Sequence, residues 1–205
     1  MAMSRGANVF VLPVIRGLVG EAAEVKRAVE EITPNAIGVC VSKEELRTLE
    51  RMGDEEAEPS SAHEEAYVAG LERFGEVRKP PPCYTEALAQ AKRLKVPCVA
   101  IDMDEALFTD AYCNFVSTVD VMKQTRDARI IKKKGFEANS PDDFVMQYDA
   151  YVNRHRGLER LERERERYIA LRLSKMSAKW DRVLGIVEVE RAQGVLEQLE
   201  LHFPL

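Results

Sequence analysis

The chain has 205 residues, 45% of them hydrophobic, and its 30 Lys and Arg against 35 Asp and Glu leave a formal net charge of -5. That length buries a core for one domain over residues 1–205, and the lack of basic excess argues against a nucleic-acid partner. No apolar run approaches the roughly 18 residues of a membrane span, and Met1-Ala2-Met3-Ser4-Arg5 lacks a signal-peptide core, so the sequence reads as cytoplasmic with no membrane partner.

The first apolar run, Val9 to Ile15, predicts a buried strand that ends at Arg16. Leu18, Ala22, Val25, Val29 and Ile32 recur at helical spacing, and Thr33-Pro34-Asn35 stops that helix. Ala36 to Val41 predicts a second strand. Ser42 with Glu45 three residues on is a capping box for a helix carrying Leu46 and Leu49. Gly53 to Ser60 is acidic and aperiodic and reads as a mobile loop. Ser61 and Glu64 form a second capping box, for a helix with Val68, Leu71 and Phe74. Lys79-Pro80-Pro81-Pro82 reads as a stiff, non-helical connector. Ala87, Leu88, Ala91 and Leu94 mark a short helix leading to the strand Cys98 to Asp102.

Beyond that strand one helix is expected from Phe108 to about Lys133, and Ser140-Pro141-Asp142-Asp143 is a strong start signal for another. The helical pattern runs on towards Met176, with a break placed at Gly157. Val183 to Val187 predicts the last strand, leading through Glu188, Val189 and Glu190 to Arg191. This order predicts an α/β fold: a mainly parallel central sheet sandwiched by helices, with a long helical segment before the last strand.

Several residues carry chemical information. Cys40, Cys83, Cys98 and Cys113 are widely separated without a C-x-x-C pair, so buried free thiols are expected instead of a zinc or redox site. His63, His155 and His202 are expected at the surface. Leu158, Leu161, Tyr168 and Ile169 share a helix face with Arg165, which therefore points inward and needs a carboxylate or a ligand anion. Glu159 with Arg163 reads as a solvent-side i,i+4 pair. In a parallel sheet the carboxyl ends of strands form the ligand crevice, which draws attention to Arg16 and Arg191.

The order of these features resembles the TraB/PrgY family, which includes pheromone-shutdown proteins and the TIKI metalloproteases. Pro34 to Val41 lies on the family's P-D-x-V-x-V-E-L strand. Ala87 and Ala91 with Ile101-Asp102-Met103-Asp104-Glu105 lie on its A-x-x-x-A helix and I-D-R-D-I strand end, Glu164 to Ala170 matches E-R-D-x-x-M-A, and Ile186 to Val195 matches the closing V-V-G-x-G-H-x-x-G-I. The reactive positions differ. The histidine of G-T-x-H falls on Arg16, the histidine of G-x-G-H falls on Arg191, and two glutamate positions fall on Cys40 and near Cys83.

The resemblance implies a TraB-like domain whose metal chemistry is absent, because arginine has no lone pair to give a cation. The expected ligand-binding set is Arg16, Asp102, Asp104, Glu164, Arg165 and Arg191, with no metal and no cofactor. The expected ligand is a small anion or an acidic protein segment, with a homodimer left open. Two active-hydrolase alternatives stand beside it. One is a TraB/TIKI-like metalloprotease; the other is a haloacid dehalogenase-like phosphatase using Asp102 and Asp104, although Ala106 stands where that motif has threonine or valine.

Overall fold

Continuous runs of Val, Ile and Leu become strands here, and the runs with apolar residues every three or four positions become helices. The structure, a computed structural model, describes residues 3–4, 8–52 and 61–202. The expected mobile loop at Gly53 to Ser60 lies outside the described residues. In chain order the elements are β1 (Met3–Ser4), β2 (Val9–Val14), α1 (Glu21–Ile32), β3 (Ala36–Val39), α2 (Lys43–Met52), α3 (Ala62–Leu71) and α4 (Pro82–Leu94). They continue with β4 (Cys98–Ala100), α5 (Glu105–Phe115), α6 (Thr118–Lys134), α7 (Pro141–Val152), α8 (Arg156–Ser177), β5 (Val183–Glu188) and α9 (Val189–His202).

The sheet order is β1-β2-β5-β3-β4. β2, β5, β3 and β4 are mutually parallel, and the short β1 adds antiparallel to the outer edge of β2. The last strand is therefore central: Val183 pairs with Val9 on one side and with Ala36 on the other. Every residue of β5 is buried, which suits an uninterrupted apolar strand covered on both faces. The expected fold class is found, and the four parallel strands direct their carboxyl ends to one side.

Side chains alternate between two cores. Leu12, Val14, Ile37, Val39, Leu184 and Ile186 face α1, α2 and α4. Val9, Val11, Val183 and Val187 face α8 and α9. Gly38 and Gly185 oppose each other across β3 and β5, and Leu173 of α8 fills the notch above them. A Cβ on Gly185 would stand 2.8 Å from Leu173 Cδ2, so only glycine lets the helix approach this closely. Arg165, Ile169 and Leu173 form one i,i+4,i+8 ridge; seating Leu173 in the notch thus aims Arg165 at the carboxyl end of the sheet.

A third core, of Ile15, Leu18, Leu71, Phe144, Val145 and Tyr148, packs α3, α6 and α7 over the end of β2. Ser140 accepts from Asp143 N at 3.1 Å, Ser42 from Glu45 N at 3.1 Å and Ser61 from Glu64 N at 3.2 Å, as the sequence signals predict.

β1 is not expected from the sequence, β3 and β4 stop at Val39 and Ala100, two residues short of the expected ends, and α3 stops at Leu71 before Phe74; three larger boundaries also differ from expectation. Pro82 opens α4 instead of extending the connector, because proline at the first helical position lacks only an N–H that would be unpaired anyway. The long helix after Phe108 is two, α5 and α6: Ser117 and Asp120 close a capping box that restarts the chain after Val116. The break expected at Gly157 falls at Asn153–His155 instead. Gly157 lies inside α8, where a Cβ would meet Phe115 O at 2.6 Å.

Candidate functional site

All four parallel strands end in the wall of one cavity of about 730 Å3. Arg16 follows β2, Cys40 follows β3, Asp102 follows β4, and Glu188 closes β5. Arg165 of α8 and Arg191 of α9 enter from one side; Tyr67 of α3 and Tyr148 of α7 enter from the other. The volume lies within the roughly 300–1,000 Å3 of small-molecule sites, at the strand ends where open parallel sheets bind ligands.

Two of the three arginines are internally neutralised. Arg165 Nη2 donates to Asp102 Oδ2, and its Nη1 donates to Glu162 at 3.0 Å. Asp102 is 7% exposed and also accepts from Met103 N at 2.7 Å, so this carboxylate is held from both sides. Arg191 Nε and Nη2 reach Glu162 Oε2 at 2.8 Å, and its Nη1 lies 3.3 Å from Glu188 and 3.4 Å from Glu190. Burial opposes the charge on both guanidiniums, but these carboxylates outweigh it and hold their pKa values above normal.

Arg16 is different. Its side chain is accessible in the cavity wall and makes no hydrogen bond or ion pair with a described residue. Desolvation works against its charge, while the more distant carboxylate of Glu188 favours it and the net shift is upward. The guanidinium therefore stays fully charged with its donors free, and guanidinium donors match a carboxylate or phosphate in bidentate geometry.

The carboxylates divide by environment. Burial would raise Glu188, but Arg191 and Arg16 overcome it, and the Tyr84 hydroxyl donates to Glu188 Oε1 at 2.7 Å; its pKa lies well below normal. Glu162 is lowered in the same way by Arg191 and Arg165 against its burial. Glu190 is pushed up to about 7, chiefly by burial and by the charge of Glu188, which Arg191 only partly offsets. Asp149 of α7 is also raised, again mainly by burial.

Burial drives the Cys40 and Cys83 thiols upward, with Glu188 adding to the effect. Neither is a thiolate nucleophile at neutral pH. Among the described residues no group of three or more His, Cys, Asp and Glu side chains converges with the geometry of a metal site.

Four of the six expected site residues thus meet at the cavity: Arg16, Asp102, Arg165 and Arg191. Two do not. Glu164 turns away and pairs with Arg167 at 2.5 Å on the outer face of α8. Asp104 caps α5, accepting from Leu107 N at 3.0 Å, and lies 3.4 Å from Lys43. The two aspartates of Asp102-x-Asp104 therefore hold different partners, Asp102 the guanidinium of Arg165 and Asp104 the N-terminus of α5.

Other expectations also change. His63 lines the cavity, and its backbone oxygen accepts from Tyr148 OH at 2.8 Å. His155 is largely covered, with Nε2 2.7 Å from Asp127, which also binds Arg154 at 2.6 Å. Cys40 and Cys83 are buried as expected, but Cys98 is half-buried and Cys113 exposed. The expected Glu159–Arg163 pair is present at 2.5 Å.

Sequence reasoning missed Glu162, Tyr67, Tyr84 and Tyr148. Glu162 had a usable signal, standing three residues before inward Arg165 and seven before Ile169. The tyrosines had none beyond helical spacing. Comparison with known proteins finds no matching family model and no matching curated protein.

Proposed function

We propose that this chain is a divergent TraB/PrgY-like domain that binds a small anionic ligand in its strand-end cavity, without metal-dependent hydrolysis. The carrying observation is Arg16, an accessible guanidinium in the wall of an open strand-end cavity with no carboxylate of a described residue paired to it. Arg165 and Arg191 build the wall; Arg16 grips. Cations at Arg16 and Arg191, where the family has histidines, disfavour a metal ion between them.

The test is calorimetric titration of inorganic phosphate and of simple carboxylates into the wild-type protein and into Arg16→Ala. Because no described residue hydrogen-bonds or pairs directly with Arg16, the variant should stay folded, giving up only the longer-range attraction between Arg16 and Glu188, while losing at least tenfold in affinity. Unchanged affinity in Arg16→Ala, no binding of any anion by the wild type, or one stoichiometric transition metal retained through dialysis would overturn the reading.

A further inference from the structure

The cavity carries more negative charge than its own arginines balance. Asp102, Glu162, Glu188 and Glu190 face only Arg165 and Arg191 in direct contact, and Asp149 approaches from α7. Glu188 is 3% exposed; its Oε1 accepts from Tyr84 at 2.7 Å, its Oε2 lies 3.3 Å from Arg191 Nη1, and a hydrogen bond from the Cys40 thiol also favours its charged form. Folding alone does not favour such an excess. On the same cavity the Arg16 guanidinium has no acceptor among the described residues.

We infer that the ligand is amphoteric, with its anionic group at Arg16 and a protonated amine against the acidic wall of Glu188, Glu190 and Asp149. This inference rests on the reading of Arg16 given above and adds the second functional group. An ammonium group supplies three donors and one positive charge, which compensates the surplus carboxylate. A dianion would meet the same wall with repulsion. The cavity thus selects amino acids or amino phosphates over simple acids, by attraction at one end and exclusion at the other.

The probes are straight-chain ω-amino carboxylates of increasing length, each compared by calorimetry with its matched carboxylate and its matched alkylamine. At the best length the amino carboxylate should bind at least tenfold more tightly than either. Glu190→Gln, and independently Asp149→Asn, should shrink that advantage while leaving simple-carboxylate binding in place; Arg16→Ala should weaken both acids. Binding at pH 7 should also release protons, because an ammonium beside Glu190 competes with the proton that Glu188 and Asp149 favour there and that Arg191 opposes. Tyr67, whose phenol is held neutral by burial, does not contribute to the release.

If simple carboxylates bind through Arg16 and the amine adds nothing at any length, the amphoteric inference fails and the Arg16 reading survives. If no carboxylate binds, both fail.

Discussion

Replacing Glu190 by Gln tests the charge surplus without any ligand. In the folded protein its pKa rises from the ordinary 4.5 to about 7, through burial first and the charge of Glu188 second. The folded state therefore holds a proton that the unfolded chain releases, so stability falls as pH rises through 4.5 to 7 and the whole penalty is present above that window. At about 1.4 kcal/mol per unit the shift corresponds to an upper value of about 3 kcal/mol. The side chain is only 14% exposed, so solvent screening reduces this little, although the 3.4 Å contact with Arg191 is lost in the variant.

Glu190→Gln should then stabilise the protein at pH 8.5 by roughly 2–3 kcal/mol, a rise in Tm on the order of 5–10 °C for a domain of this size. At pH 5 the wild-type side chain is protonated and resembles glutamine, so the two proteins should agree within about 0.5 kcal/mol. Thermal and urea unfolding at both pH values measure this. Destabilisation at pH 8.5, or an equal effect at both pH values, would refute the argument that the cavity wall is over-supplied with carboxylate.

The opposite sign applies to Glu162 and Glu188, whose lowered pKa values contribute stability above the ordinary 4.5 that is lost as pH falls through their folded values. With Glu190 acting in reverse, a urea-midpoint profile should peak near pH 4.5 and decline towards about 7, and a monotonic rise to pH 9 would contradict it. Arg165→Ala leaves Asp102 buried without its cation and should cost about 3–5 kcal/mol, while the paired change Asp102→Asn with Arg165→Gln should cost less than that single change. A single variant milder than the double would show that the pair is not held as described. Gly185→Ala should cost about 1–3 kcal/mol by overpacking against Leu173, and Leu173→Ala in the same chain should recover part of the loss. Equal denaturation midpoints for Gly185→Ala and wild type would place α8 farther from the sheet.

The succession of strands and helices was legible from residue pattern alone, because burial and helix capping act over a few residues. Val183 to Val187 is apolar throughout since both faces of β5 are covered, and Ser42, Ser61 and Ser140 cap the helices that they precede. Arg165 was readable as inward for the same local reason, a shared face with Leu161 and Ile169. Local pattern failed where two signals competed: helix propensity across residues 108–134 hid the restart at Ser117, and the proline run hid a helix beginning at Pro82.

The partners of the arginines needed the tertiary structure. Nothing in spacing says that Arg191 closes on Glu162, 29 residues away, or that Arg165 reaches Asp102 at a separation of 63. Those distances are set when β5 inserts between β2 and β3 and Leu173 settles over Gly185. The same packing leaves Arg16 without a directly paired carboxylate among the described residues, and Glu164 outside the cavity although it adjoins Arg165 in sequence. A local pattern determines which way a residue faces on its own helix or strand, whereas charge compensation depends on which elements meet, and that is decided only when the layers pack.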